Sequence, residues 1–359
     1  MKRFVTVFMF ALLAMTFLGG QLQAQFTTTF AKNATPGQQN GIYYSLPQTM
    51  LRLDFIIDEI RMEKGPLSDY ASNYFDMADV VEYETTEYKL VDMEMTPMAS
   101  PDPNALFFVT LATGRGSGKV QFDVMPNGII RSAGVGVVAE QEKPVVREVP
   151  KCCVAKSEPN YDFINLLSAG KSNAQLAKEV ADKIADIRKE KFFLMTSDGA
   201  TASNPETFKM MSEKLDKMDK EYTSLLIGKR VAKRVVRSVY VIPNKEVPNQ
   251  TVAKFSETEG FTVGTAGSGS MITVQTLSLN TTEAINAPSQ SAIESMSYEN
   301  KVFYRLPETA QVKVTCGNKT LLEDRVTVNQ LGVLLMAPLT NTCLVFDTET
   351  GQIVNMIMQ

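Results

Sequence analysis

Two stretches of the chain, 260 residues apart, share one pattern: YYSLPQTMLRLDF at residues 43–55 and FYRLPETAQVKVT at residues 303–315. Each has a tyrosine, one variable residue, Leu-Pro, Gln or Glu, and Thr, followed by a run that alternates apolar and polar residues. In the first stretch the apolar positions are Leu51, Leu53 and Phe55. A period of two is typical of a half-buried strand, so each stretch predicts a β-strand.

A second pair of similar stretches follows in the same order, VQFDVMPNGII at residues 120–130 and LVFDTETGQIV at residues 344–354. Each has Phe-Asp, a turn containing Gly, and then an Ile-containing strand. Two ordered matches predict a duplicated β module, although independent strand and turn chemistry is an alternative. The signature residues of the two copies are Tyr44, Pro47, Phe122 and Asp123 in the first, and Tyr304, Pro307, Phe346 and Asp347 in the second.

Between the two copies, the spacing of the apolar residues changes from that of a strand to that of a helix. Apolar residues share one helical face at Leu176, Val180, Ile184 and Ile187. A second helix is predicted to start at Asn204-Pro205 and to stop at Gly228, because Asn is a good cap, Pro fits the first turn and Gly ends helices well. These two segments predict an αα-hairpin.

The fold class that we predict is α+β, with two related, sandwich-like antiparallel β domains separated by the αα-hairpin. Residues 140–160 are rich in Glu, Lys, Pro and Val without periodicity, which indicates a linker. The predicted segments are a signal peptide at 1–24, an N-terminal β domain at 25–139, a linker at 140–170, a helical hairpin at 171–228 and a C-terminal β domain at 229–359.

The first residues have the organisation of a secretory signal peptide. Lys2 and Arg3 precede the apolar run Phe4–Leu18, and Leu22-Gln23-Ala24 resembles a cleavage site. We therefore expect an exported protein, periplasmic or associated with the outer membrane, with no transmembrane span after cleavage. An uncleaved N-terminal anchor is the alternative.

Composition excludes several classes of function. The chain has no His and no Trp. Ser-His-Asp and Cys-His catalysis and His-containing zinc sites are therefore excluded. Without Lys2 and Arg3, 34 basic residues stand against 40 acidic ones, a net charge of −6. This balance argues against nucleic acid as a partner.

Three motifs suggest chemistry, and each has a simpler structural interpretation. TGRGSGKV at residues 113–120 resembles a phosphate-binding loop but lacks the first Gly and the final Ser or Thr. Asp123 and Asp347 are candidates for an acid–base role in catalysis. A simpler interpretation is that each side chain hydrogen-bonds to the turn that follows it. GKRVAKRVVRSV at residues 228–239 suits an anionic lipid or glycan, or else is a solvated edge strand.

The four cysteines permit disulfides in an exported protein. Cys316 ends one predicted strand and Cys343 begins another, so we predict that these two form a disulfide. Cys152 and Cys153 are adjacent in the predicted linker, and free thiols or an intermolecular link are expected there. Reduced, unpaired cysteines are the alternative for all four.

Several ordered blocks resemble a family of exported proteins of unknown function from Bacteroidetes-type bacteria, domain of unknown function 4831. They are GIYYSLPQTMLRLDF, GPLSDYASNYF, LAKEVADKIADIRKEKFFLMTSD, LDKMDKEYTSLLIGK, FYRLPETAQVKV and FDTETGQI, between Gly41 and the C-terminus. The resemblance implies a cell-envelope setting in a Gram-negative anaerobe. It implies no reaction, cofactor or catalytic residue, and it says nothing about the cysteines.

The function that these observations favour is a non-catalytic interaction or scaffold protein of the cell envelope, whose partner is another envelope protein or a glycan. A carboxylate-dependent enzyme acting on glycans and a glycan-binding module are the alternatives. We assign no catalytic, cofactor-binding or metal-binding residue from the sequence.

Overall fold

The structure is a computed structural model that describes residues 26–35, 40–111, 120–135, 170–196, 205–283, 285–340 and 342–358. The predicted signal peptide and nearly all of the predicted linker, with Cys152 and Cys153, lie outside these residues. So does most of the sequence that resembles a phosphate-binding loop.

The described residues form long strands and three α-helices. The helices are α1 Asn173–Thr196, α2 Pro205–Ile227 and α3 Gln290–Glu294. The strands are β1 Phe26–Phe30, β2 Gly41–Glu63, β3 Thr85–Leu111, β4 Val120–Val124, β5 Ile130–Val135, β6 Lys229–Val241, β7 Asn249–Ser256, β8 Gly260–Val263, β9 Ser270–Ser278, β10 Tyr298–Glu299, β11 Lys301–Cys316, β12 Lys319–Pro338, β13 Thr342–Phe346 and β14 Ile353–Met358.

The strands form three antiparallel sheets. The first sheet has the order β10-β1-β3-β2-β6, the second β12-β11-β9-β7-β8 and the third β14-β13-β5-β4. Mostly antiparallel strands with a few helices agree with the predicted α+β class.

Strands from the two predicted β domains share sheets. β6 extends the first sheet by pairing with β2 from Leu51↔Val241 to Glu63↔Lys229. In the third sheet β5 pairs with β13, with Leu344 opposite Ala133. The predicted boundaries at residues 139 and 229 therefore do not separate the sheets, because strands distant in sequence have matching apolar faces.

Two apolar cores lie along the long hairpins β2–β3 and β11–β12. The first core includes Tyr44 on β2 and Phe303 on β11, and the second core includes Leu51 on β2 and Val312 on β11. The pairing of each hairpin shifts register between the two cores, at Ser45/Pro47 and at Leu306/Glu308. At both places the pairing shifts by three residues, and an odd shift exchanges the faces of a strand relative to its partner, so one strand serves both cores.

The helices α1 and α2 pack against each other and against the loop that joins β2 to β3. Leu176, Val180 and Leu225 are buried together with Leu67 of that loop. α2 ends before Gly228, which has φ +84 and passes so close to Glu63 that an added Cβ would lie 2.5 Å from its carbonyl oxygen. Glycine allows both the positive φ and this close approach, because it has no Cβ.

Candidate functional site

The structure brings the two Leu-Pro stretches into direct contact. The backbone N–H of Phe303 donates to the Tyr44 hydroxyl oxygen at 2.9 Å, and Arg305 Nη1 donates to the carbonyl oxygen of Pro47 at 2.9 Å. Tyr44 is fully buried, which raises the pKa of its hydroxyl above the usual value and keeps it protonated. The two stretches thus contact each other, one on β2 of the first sheet and the other on β11 of the second sheet.

Each stretch is also bonded to the turn that follows Phe-Asp in its own half of the chain. The N–H of Ser45 donates to the Gly128 carbonyl at 2.8 Å, and the N–H of Arg305 donates to the Gly351 carbonyl at 3.0 Å. These equivalent contacts agree with a duplication. The strands that carry Phe122 and Phe346 differ, because β4 is an edge strand and β13 lies between two neighbours. The duplication stays a prediction.

A buried ion pair lies where the two stretches meet. Arg305 Nη2 is 2.7 Å from Asp102 Oδ2, and the two side chains are 8% and 3% exposed. Asn104 N–H donates to Asp102 Oδ1 at 2.9 Å, and the Ser45 hydroxyl donates to the Asp102 carbonyl at 3.1 Å. The Asn104 bond to the carboxylate and the Arg305 bond to the Pro47 carbonyl therefore offset part of the cost of burying these charges, whereas the Ser45 bond reaches only the backbone carbonyl of Asp102.

This ion pair has little signal in the amino-acid sequence. Its only signal was a charged residue at the variable position of the second Leu-Pro stretch, and an aspartate between Pro101 and Pro103 inside a long strand. A charge is seldom buried unless it is paired, but the sequence does not say which partner it has.

A cavity of about 390 Å³ borders Arg305 on the second sheet. Lys245, Glu283 and Gln330 contribute polar groups to its lining, and Ile285 and Val333 contribute apolar ones. Its wall also includes Glu308, the residue after Pro307 in the second stretch.

Glu308 holds the wall of this cavity in place. Thr281 and Thr282 each donate a backbone N–H and a hydroxyl to its carboxylate, at 2.6–3.1 Å. Burial by itself raises the pKa of this carboxyl, but the hydrogen bonds outweigh burial and hold the pKa at about 2. Glu308 is therefore ionised at neutral pH and anchors the loop that follows β9.

The substitution Glu308→Gln is expected to lower the free energy of unfolding at pH 7 by on the order of 2–3 kcal/mol. A lowered folded-state pKa stabilises the fold above the unfolded value of about 4.5, and this contribution is lost as the pH falls toward 2. The difference between wild type and variant should therefore shrink over that range, as urea unfolding at pH 7, 4 and 3 would measure. A difference independent of pH would contradict the role of Glu308.

The two signature aspartates are bonded within their own hairpins. Asp347 accepts hydrogen bonds from Glu349 N–H at 3.0 Å and from the Thr350 hydroxyl at 2.6 Å, inside the turn after β13. Asp123 Oδ2 lies 3.5 Å from Arg131 Nη1 on the neighbouring strand. Turn hydrogen bonding thus accounts for Asp347, whereas Asp123 pairs across the hairpin.

The predicted Cys316–Cys343 disulfide is not formed, and both residues are free thiols. Cys316 ends β11 in the second sheet, opposite Lys319, whereas Cys343 is the second residue of β13 in the third sheet, opposite Gly134. The two strands belong to different sheets and are not hydrogen-bonded neighbours, which is the arrangement that the prediction required. Burial raises the pKa of both thiols.

The basic stretch at residues 228–239 lies on β6, an edge of the first sheet. Lys229 pairs with Glu63 at 2.8 Å, and Arg234 pairs with Asp58 at 2.7 Å. A charged edge strand of this kind discourages pairing with other chains, as the simpler interpretation expected.

Among the exposed apolar side chains of the described residues, two groups concern the ends of elements. One is the end of the helix pair formed by residues 192–195 of α1 and residues 210–211 of α2, which we call the helical tip: Phe192, Phe193, Met195, Met210 and Met211 are exposed. The other is β14, where Val354, Met356, Ile357 and Met358 are exposed. Contiguous exposed apolar side chains typically mark interaction surfaces.

The part of the chain that the structure describes contains no group of three or more acidic or cysteine side chains placed to hold a metal ion. Within the same residues, none of the helices combines the length and the apolar character needed to cross a membrane.

Comparison with known proteins identifies one family. The family model described as a domain of unknown function (DUF4831) matches residues 40–354. No curated protein matches the chain, and no solved structure does.

Proposed function

The chain belongs to the family described as a domain of unknown function (DUF4831), and from that premise we propose that it is an exported, non-catalytic interaction protein of the bacterial cell envelope. Export is supported by the signal-peptide pattern of residues 1–24. We propose that it is periplasmic or associated with the outer membrane, and that its partner is another envelope protein.

The observation that carries this proposal is the helical tip. Phe192 and Phe193 are each 70% exposed, although the base of the same helix is buried at Leu176 and Val180. The distal ends of α1 and α2 are held together by charged pairs, including Arg188 with Asp219 at 3.0 Å. Charged pairs join the two helices near this end, while large apolar side chains face solvent. This arrangement suits a partner with an apolar surface.

The bonding of three carboxylates, two of them buried, also supports a non-catalytic role. The carboxylates of Glu308, Asp102 and Asp347 accept hydrogen bonds or ion pairs from groups of the fold itself. Their geometry therefore explains them as structural residues without a bound substrate.

We expect a photoreactive phenylalanine analogue at position 193 to cross-link the protein to envelope proteins of the producing bacterium. The matched control is the same analogue at Tyr240, an aromatic residue that is 56% exposed on β6. Adducts would be identified by mass spectrometry, and the intact mass of the purified protein would show whether cleavage follows Ala24.

Specific adducts at position 193 and none at position 240 would support the proposal. Equal labelling at both positions, or no adduct at position 193, would contradict it. So would release of sugars from envelope glycans by the purified protein, if a single carboxylate substitution abolished that activity without unfolding the chain.

A further inference from the structure

Three methionine side chains of the helical tip are open to solvent. Met195 on α1 is 55% exposed, and Met210 and Met211 on α2 are 71% and 48% exposed. Met93 on β3, by contrast, lies in a core and is 5% exposed. Exposure decides whether a small oxidant reaches the sulfur atom, so the three methionines of the helical tip are open to oxidation and Met93 is shielded from it.

The register of the two antiparallel helices places these methionines at the same end of the pair. Lys191 of α1 forms an ion pair with Asp216 of α2. Four residues further along α1 and four residues back along α2, the same register sets Met195 level with Ser212, the residue after Met211. The thioether groups of the two helices are therefore neighbours.

The packed base of the helix pair has a different composition. The buried residues of the cluster that joins α1 and α2 to the loop after β2 are alanine, valine, leucine and isoleucine, among them Leu176, Val180 and Leu225. These aliphatic side chains do not react with a mild oxidant, whereas a thioether does. Oxidation therefore changes the exposed end of the helix pair and leaves this base chemically intact.

We propose that Met195, Met210 and Met211 form a site of oxidative modification, at which a peroxide produces methionine sulfoxide and thereby weakens binding of the partner. In each reaction the thioether Sδ forms a bond to one peroxide oxygen, and the O–O bond breaks. Sulfur loses two electrons and the peroxide gains them, and with hydrogen peroxide the second oxygen leaves as water. This regulation rests on the proposed function, because the same surface binds the partner.

The sulfoxide changes the polarity of the helical tip. A thioether is apolar, whereas a sulfoxide oxygen is a hydrogen-bond acceptor, and its burial against an apolar partner without a donor is unfavourable. A single unpaired polar group in such a contact lowers the affinity by about tenfold or more. Oxidation of the three methionines should therefore weaken binding at the helical tip at least about tenfold.

The test uses the purified protein with the photoreactive phenylalanine analogue at position 193. The protein is treated with hydrogen peroxide, freed of peroxide, and incubated with a thiol that reduces reversibly oxidised cysteines but leaves the sulfoxides in place. It is then cross-linked to the envelope fraction, and peptide mass spectrometry follows each methionine. We expect sulfoxides at the three methionines of the helical tip before Met93, and a yield of adducts at least about tenfold lower than without peroxide.

Repair of the sulfoxides gives a readout that needs no substitution. Methionine sulfoxide reductases, one for each sulfoxide epimer, convert the side chains back to methionine. Their addition should restore the yield of adducts at position 193 to that of untreated protein. A yield that stays low after the sulfoxides have been repaired would contradict the proposal.

The variant Met195→Leu, Met210→Leu and Met211→Leu keeps the apolar character and nearly the volume of the helical tip, but it has no sulfur to oxidise there. Its yield of adducts should be the same before and after peroxide. Circular dichroism checks that it folds, and the reductase experiment stands without it.

The matched control is the variant Met77→Leu, Met271→Leu and Met296→Leu. These methionines are 45%, 55% and 59% exposed, and they lie outside the helical tip. The control should lose adducts after peroxide to the same extent as the unsubstituted chain.

Sulfoxides at the helical tip without a loss of adducts would overturn the proposed regulation and leave the proposed function standing. A loss of adducts in the helical-tip variant, or no loss in the control, would also overturn it, because the effect of peroxide would then arise at other residues. Absence of adducts from untreated protein would contradict both proposals, so the two failures are distinguishable.

Discussion

Replacing Arg305 by alanine is expected to lower the free energy of unfolding by about 3–5 kcal/mol. The substitution leaves the Asp102 carboxylate buried without its ion-pair partner, and it also removes the donor to the Pro47 carbonyl. An unpaired charge in the interior is among the costliest defects that a single substitution produces. The measurement is urea unfolding at pH 7, followed by circular dichroism.

The control for Arg305 is Arg234→Ala. Arg234 pairs with Asp58 at 2.7 Å, but its side chain is 44% exposed, so its loss should cost about 1 kcal/mol or less. A double variant, Arg305→Met with Asp102→Leu, should recover part of the loss, because it removes both charges together. A cost for Arg305→Ala no larger than that for Arg234→Ala would contradict a buried ion pair.

The second large effect is expected for Phe303→Ala, which should also cost about 3–5 kcal/mol. The Phe303 ring stacks on Phe107 with centroids 4.4 Å apart, and its centroid is 5.4 Å from that of Phe30 and 5.3 Å from that of Tyr298. Phe303 is fully buried, so truncation leaves a cavity between strands of both halves of the chain. Urea unfolding measures this loss directly.

Phe192→Ala is the control for burial, since Phe192 is at the exposed helical tip and its loss should change stability by no more than about 0.5 kcal/mol. Phe303→Leu should fall between the two alanine variants, because leucine fills part of the cavity. Equal effects at positions 192 and 303 would show that Phe303 does not belong to a packed core.

Patterns of residues close in sequence were enough to predict several of the strands and helices. The alternation at Leu51, Leu53 and Phe55 lies on β2, with these residues buried, and the helical spacing from Leu176 to Ile187 lies on α1. Pro205 begins α2, and α2 ends immediately before Gly228. Each of these features depends on residues within a few positions of one another, which is why the sequence is informative about them.

Which strands would be neighbours was decided only by the tertiary structure. A period of two shows that a segment is a strand and which face is apolar, but any strand with a matching face is a possible partner. β6 therefore joins β2 across the predicted domain boundary, and Cys316 and Cys343 lie in different sheets. The Asp102–Arg305 pair likewise joins residues 203 positions apart. The sequence by itself determined several of the strands and helices, such as β2, α1 and α2, whereas the arrangement of the elements depends on long-range packing that local patterns do not encode.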